Sequence, residues 1–217
     1  MKNILIRLFY KFLVRPWLTF IIGVNFNNQE IFENLNQYII VANHNSHFDM
    51  VSILAALPGI KLKTTKAVAA SDYFGKSDWV VKAMHLFLNS ILISRDRNEN
   101  EPSAIDILDV HLKHGNSLVM FPEGSRGKPG LITNFKKGIA ILLKNNPNIP
   151  FIPVYLDGFG RVLPKDSKVI LPLVCKVRFG KPVFINSDDT NVILSEVKAA
   201  IFDLQNNDER DRNKFDF

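Results

Sequence analysis

The sequence predicts a single α/β domain with a largely parallel central sheet flanked by helices. Three observations carry that expectation. From residue 38 onward, short apolar runs rich in β-formers alternate with longer stretches at helical spacing, the rhythm of strands joined by helical crossovers. The chain has 217 residues, 47% apolar and 22% charged, which suits one domain with a substantial core and excludes a disordered or fibrous chain. No internal repeat, low-complexity tract or interdomain linker breaks the pattern.

The elements follow in order. Residues 1–24 form the first unit. Its longest uncharged stretch is fourteen residues from Pro16, short of the roughly 20 that a spanning helix needs. Charges recur through the apolar region and no small-residue cleavage site follows, which argues against a signal peptide. At about 100° per residue, Arg7, Lys11 and Arg15 share an arc of about 80°. Leu5, Leu8, Phe9, Phe12 and Leu13 spread over the other faces, and Trp17 follows. That describes an amphipathic helix lying in a membrane interface; the alternative is a helix packed on its own domain. Residues 25–205 form the domain proper. Strands are expected at Tyr38–Ala42, Thr65–Ala69, Ser90–Ser94, Ser117–Phe121, Phe151–Leu156, Val169–Leu173 and Cys175–Phe179. Helices are expected at Met50–Leu57, Asp78–Leu88, Ser103–His114, Phe135–Lys144 and Val192–Gln205. The last strands crowd together near Pro164 and Pro172, predicting an antiparallel or irregular edge. The charged residues 206–217 are expected to fray.

Charge narrows the partners. Net charge is +6, and Lys2, Arg7, Lys11 and Arg15 all precede the first acid, Glu30. Such asymmetry suits nucleic acid or an anionic membrane. Seventeen Phe against four Tyr favours lipid over base stacking, so an anionic membrane surface is the expected partner and nucleic acid is not. The single Cys175 forms no internal disulfide and fits a reducing compartment.

Chemistry gathers where predicted strands end, as ligand sites do in open α/β sheets. Tyr38–Ala42 runs into Asn43-His44-Asn45-Ser46-His47-Phe48-Asp49, Ser90–Ser94 into Arg95, Ser117–Phe121 into Pro122-Glu123-Gly124-Ser125-Arg126-Gly127, and Asn148–Pro150 into a run containing Pro153. If the first three strands are parallel, a histidine, two carboxylates and several arginines meet on one sheet edge. On an ideal helix His44 and Asp49 stand about 140° apart and cannot touch. A turn over residues 44–48 would bring them together, with Asp49 at the start of the following helix. Its carboxylate could then hold one ring nitrogen of His44 and leave the other to act as a general base. The plainer reading is a cap and a loop histidine.

Together these segments resemble the glycerolipid acyltransferase family, which includes the 1-acylglycerol-3-phosphate acyltransferases. The N-H-x-S-x-x-D motif is matched by Asn43, His44, Ser46 and Asp49. F-P-E-G-[ST]-R is present in full from Phe121 to Arg126, and Phe135-Lys136-Lys137-Gly138 matches the F-K-x-G that follows it. Ile91-Leu92-Ile93-Ser94-Arg95 resembles the apolar run ending in arginine, with Ser94 where aspartate is frequent, and Ile149–Val154 resembles the proline-containing fourth motif. The resemblance covers roughly residues 38–180, with the motifs in the family's order.

The resemblance implies a glycerol-3-phosphate acyltransferase-like fold and acyl transfer from an acyl-CoA or acyl-carrier-protein thioester to the hydroxyl of a lysophospholipid. The thioester is a co-substrate, and no bound cofactor is expected. The implied acceptor is 1-acylglycerol-3-phosphate, giving phosphatidic acid; another lysolipid acceptor, or a non-catalytic lipid-binding protein of the same fold, are the alternatives. His44 is implied as general base and Asp49 as its orienting partner. Ser46, Arg95, Glu123, Gly124, Ser125, Arg126, Lys136 and Pro153 are implied in substrate binding. Arg95 and Arg126 could hold a phosphate, Lys136 and Lys137 could add positive potential, and Pro153 could shape a loop near the acyl chain. Glu123 would bond a glycerol hydroxyl or fix an arginine; an ion pair with Arg126 is the structural alternative. The expected location is peripheral or monotopic on the cytoplasmic face of a membrane. Metal chemistry is not expected: His44 and His47, and His111 and His114, are three apart, but no second pair follows a motif segment. Cys175, among strand residues, is expected to pack rather than attack.

Overall fold

The computed structural model describes residues 2–71, 87–94, 102–127, 131–162 and 174–213. The predicted strand Val169–Leu173 and residues 78–86 of the predicted helix Asp78–Leu88 lie outside them, as does Arg95.

The chain opens with a continuous helical run, α1, in which Lys2–Phe9 and Arg15–Trp17 are α-helical and Tyr10–Val14 and Leu18–Ile22 are π turns. After it come β1 (Val24–Asn27), β2 (Ile39–Ala42), α2 (Phe48–Ala56), β3 (Thr65–Ala70), β4 (Ile91–Ile93) and α3 (Ala104–Lys113). Then follow β5 (Ser117–Met120), α4 (Gly138–Asn145), β6 (Phe151–Asp157), α5 (Phe159–Val162), β7 (Cys175–Phe179) and α6 (Thr190–Asn213). The described strands form one sheet in the order β1-β7-β6-β2-β5-β3-β4. Strands β6, β2, β5, β3 and β4 are parallel; β7 runs antiparallel to β6, and β1 pairs parallel with β7.

The sheet is covered on both faces, which is why its central strands read as unbroken apolar runs. On β2, Ile39 and Val41 pack with residues of α3, α4 and α6, while Ile40 and Ala42 pack with α1 and α2. Ser103 caps α3 through a reciprocal pair of bonds with Asp106, so the predicted start of that helix is met to within a residue.

Four expectations are revised. Strand β1 was not among the predicted elements, although its V-N-F-N alternation after Gly23 carries the period of a half-buried strand. It occupies the edge, so β7, the antiparallel partner the crowded last strands suggested, is internal. Residue 24, taken as the end of the first unit, lies inside β1. Helix α6 continues to Asn213 rather than ending at Gln205, because residues 206–213 contain neither Pro nor Gly to stop it.

Helix α1 both packs on its domain and keeps an apolar outer face. Tyr10, Val14, Leu18 and Ile22 are buried, whereas Leu5, Phe12, Leu13 and Phe20 are exposed. A four-residue repeat drifts about 40° per step on an α-helix; the wider π turns absorb that drift and keep all four on the core side. Pro16 lacks an N–H, and the adjoining π turns carry the chain across that gap in the α pattern. Gly23, at φ 83°, ends the helix in the left-handed region, which glycine adopts without cost.

Candidate active site

Strands β2 and β5 are parallel neighbours, so the loops leaving their C-terminal ends, residues 43–47 and 121–127, emerge side by side. The buried Asn43 anchors the first loop. Its Nδ2 donates to Leu156 O at 2.9 Å and its Oδ1 accepts from Leu156 N–H at 2.7 Å. The side chain thus acts as one more rung between β2 and β6.

The turn predicted from the His44/Asp49 spacing is present. Asp49 N–H donates to Ser46 O at 3.3 Å, and α2 starts at Phe48, which places Asp49 in its first turn. Asp49 is fully buried, and its Oδ2 accepts from Asn45 N–H at 2.6 Å and Ser46 N–H at 2.7 Å. His44 Nδ1 lies 2.9 Å from the same oxygen. A carboxylate accepts only, so the proton belongs on Nδ1 in the neutral ring and Nε2 is the basic nitrogen. Asp49 Oδ1 is buried without a partner among the described residues; the bonding of this carboxylate is concentrated on the oxygen that faces His44. Ser46 is buried and its Oγ accepts from Phe48 N–H at 3.3 Å, so its place is in the turn.

The second loop grips the first. Glu123 is buried; its Oε1 accepts from His44 N–H at 2.8 Å, and its Oε2 from Thr133 N–H at 3.0 Å and Thr133 Oγ1 at 2.5 Å. Gly127 N–H donates back to His44 O at 2.8 Å. The hydrogen-bond partners of Glu123 among the described residues are therefore loop donors, not the Arg126 guanidinium that the ion-pair reading supposed. Phe121 lies face to face with the His44 ring, centroids 4.1 Å apart and planes 11° from parallel.

Gly124 adopts φ 72°, and its N–H donates to Phe121 O at 3.0 Å. A Cβ on it would stand 2.7 Å from Lys136 Cε and 2.9 Å from Nζ. The Lys136 chain thus lies directly over the glycine, bringing its ammonium to the Glu-Gly-Ser-Arg turn. Lys136 N–H donates to Pro122 O at 2.8 Å, which holds that lysine's backbone in place. Ser125 is exposed on the turn, and Lys137 is exposed at the start of α4. Burial holds the His47 pKa below its ordinary value, the Arg126 guanidinium and the His44 ring lower it further, and Asp49 opposes them. The Arg126 guanidinium of the second loop thus acts electrostatically on the histidine loop.

Pro153 lies within β6, in register with Val41 of β2, where the strand expected at Phe151–Leu156 puts it; the loop-shaping role that the resemblance implied does not fit this place. Phe151 exchanges both backbone bonds with Val183, so alternation turns the nitrogen of Pro153 toward the same side. There Gly180 N–H donates to Pro153 O at 2.8 Å, and a Cβ on Gly180 would stand 2.7 Å from Pro153 Cγ. The missing N–H falls where the chain after β7 bulges past, a place a strand tolerates proline.

The remaining candidates lie apart. His111 and His114 belong to α3 and its C-cap, with His114 Nδ1 2.7 Å from Val110 O. Burial, Lys66 and His114 hold His111 below its ordinary pKa. Cys175 opens β7, buried, and its thiol is pushed up to about 12 by burial and then by Asp157. Sequence reasoning missed the roles of Phe121, Thr133 and the Asn43–Leu156 bonds. Only Phe135-Lys136-Lys137-Gly138 hinted that the chain returns to the Glu123 loop.

A family model described as Acyltransferase matches residues 23–157. A relative from Arabidopsis thaliana, "1-acyl-sn-glycerol-3-phosphate acyltransferase LPAT1, chloroplastic", is 26% identical over 201 residues, covering 90% of this chain and 54% of its own. The Homo sapiens "1-acyl-sn-glycerol-3-phosphate acyltransferase alpha" is 24% identical over 169 residues, covering 76% of this chain and 56% of its own. The chain thus spans about half the length of these relatives. The crystal structure of the "1-acyl-sn-glycerophosphate (LPA) acyltransferase, PlsC, from Thermotoga maritima" shares the fold at TM-score 0.64 and 20% identity, covering 94% of this chain and 98% of that one. The matched region runs from Gly23 through β6 and includes both interlocked loops. The chain belongs to the Acyltransferase family.

Proposed function

We propose that the protein moves a fatty acyl group from an acyl-CoA or acyl-carrier-protein thioester to the hydroxyl of 1-acylglycerol-3-phosphate, giving phosphatidic acid. The observation that carries this reading is the buried Asp49 carboxylate holding His44 Nδ1 at 2.9 Å, beside a turn that contains Arg126 and is crossed by the Lys136 side chain. His44 Nε2 takes the proton of the acceptor hydroxyl as its oxygen attacks the thioester carbonyl. Asp49 steadies the imidazolium so formed. The tetrahedral intermediate then collapses as the C–S bond breaks, and the imidazolium returns the proton to the departing sulfur. General-base help contributes about 10²–10⁴-fold, and orientation of the two substrates supplies much of the rest.

Arg126 and Lys136 hold the acceptor phosphate, with Arg95 as a further contributor from the sequence pattern. Lys137, exposed at the start of α4, adds to the same positive potential. Glu123 acts as the clamp that keeps the His44 main chain against this turn. The exposed apolar face of α1 lies on an anionic membrane surface, in keeping with a peripheral protein on its cytoplasmic side. No helix among the described residues is long and apolar enough to cross a membrane. The test is thioester consumption with a panel of lysolipids, followed by mass spectrometry of the products. Phosphatidic acid formed preferentially supports the reading; no transfer, or preference for another lysolipid, overturns it.

A further inference from the structure

A groove of about 540 Å³ opens between α1 and the turn that follows α2. Arg7, Lys11 and Arg15 line it, and none of the three is in an ion pair with a carboxylate among the described residues. Arg7 Nε lies 3.2 Å from where a Gly59 Cβ would stand, so the glycine lets the arginine rest against the turn backbone. Arg15 is held in place by Gln29 Oε1 at 2.8 Å and by the Phe26 ring at 5.2 Å. The same groove is lined by Ile4, Leu8 and Phe12. Phe12 is 66% exposed, and Ile60, next to Gly59, is 67% exposed.

We infer that this groove binds the headgroup phosphate of an anionic phospholipid, with an acyl chain lying along the apolar edge of α1. Three cations with no acid in the lining call for an anion. The apolar side chains beside them select an amphiphile, because a free phosphate would leave them in water. The groove is not the acyl-transfer site. It is lined by Ala55, Leu57, Pro58 and Gly59 at and beyond the C-terminal end of α2, whereas Asp49 stands in the first turn of that helix, about 9 Å or more away along its axis. The inference does not depend on acyl transfer, since its readout is binding.

The experiment titrates the full chain with monomeric dihexanoyl phosphatidylglycerol, dihexanoyl phosphatidylcholine and inorganic phosphate by calorimetry. Saturable binding of phosphatidylglycerol is expected, with much weaker binding of the other two. Arg7→Gln/Lys11→Gln should weaken it about 30-fold, at roughly one tenfold step per 1.4 kcal/mol. Lys113→Gln/Lys144→Gln, an equal loss of exposed charge elsewhere, should leave it unchanged. Phe12→Ser should weaken the lipid but not inorganic phosphate, and matched melting temperatures verify that each variant folds. Wild-type affinity in the Arg7/Lys11 variant overturns the site. Equal loss in the Lys113/Lys144 variant reduces it to general charge attraction. Inorganic phosphate binding as tightly as the lipid makes it a free-anion site instead.

Discussion

Glu123 Oε1 accepts the backbone N–H of His44 at 2.8 Å, so a side chain from the loop after β5 holds the main chain of the histidine after β2. Its other oxygen takes the N–H and hydroxyl of Thr133, tying three segments through one buried carboxylate. Glu123→Ala leaves these donors unsatisfied, at about 1–3 kcal/mol of stability. It should lower both the melting temperature and kcat. Glu123→Gln keeps one acceptor for His44 N–H and should lose less. Thermal unfolding and steady-state kinetics of both variants check this; wild-type behaviour in Glu123→Ala would remove the clamp.

The His44–Asp49 pair should fail in two distinguishable ways. His44→Ala should cost about 10²–10⁴-fold in kcat with little change in stability, because the ring is only partly buried. Asp49→Asn should cost up to about 10⁴-fold, since a neutral amide neither fixes the productive tautomer nor stabilises an imidazolium. It should also unsettle the turn, because Asp49 Oδ2 accepts the Asn45 and Ser46 amides. Turnover and circular dichroism melts separate the two effects, and near-normal turnover in His44→Ala would end the general-base assignment.

Gly124→Ala meets two obstacles. Its φ of 72° costs an L-residue about 1–2 kcal/mol, and the new methyl would displace the Lys136 chain. The acceptor KM should rise more than kcat falls, in parallel with Arg126→Ala. Initial-rate kinetics with varied acceptor decide it; an unchanged KM in both variants would detach this turn from phosphate binding.

Cys175 should be inert in the native protein. Its thiol, pushed up to about 12, is protonated at pH 7–8, and the thiolate is the reactive form. Iodoacetamide should modify it only after unfolding, and treatment of the native protein should leave turnover intact. Mass spectrometry before and after denaturation checks both. Rapid native alkylation with loss of activity would contradict the buried, unreactive thiol.

Much of the fold was legible because its signals are local. The β2 and β5 runs are apolar on both faces, and Ser103 with Asp106 announces a helix start three residues apart. The His44–Asp49 turn was legible for the same reason: five residues on a helix cannot meet, so the chemistry required a bend. The inner face of α1 was not, because a plain 100° wheel blurs a four-residue repeat that π turns restore. The strand at Phe151–Leu156 was legible, but what lets it carry Pro153 was not, because proline argues against a central strand unless a bulge stands opposite. That bulge comes from Gly180, 27 residues away along the chain.

The sequence by itself determined the fold class, the two motif loops and the candidate residues for proton transfer and anion binding. Those follow from periodicity, charge and short-range spacing, which any local stretch of chain contains. Only the tertiary structure decided that Glu123 clamps the His44 main chain, that Lys136 crosses Gly124, and that Arg7, Lys11 and Arg15 share a groove with the turn after α2. Each of these relations joins segments adjacent in space but not in sequence, and it is strand order and helix packing, not local pattern, that makes them neighbours.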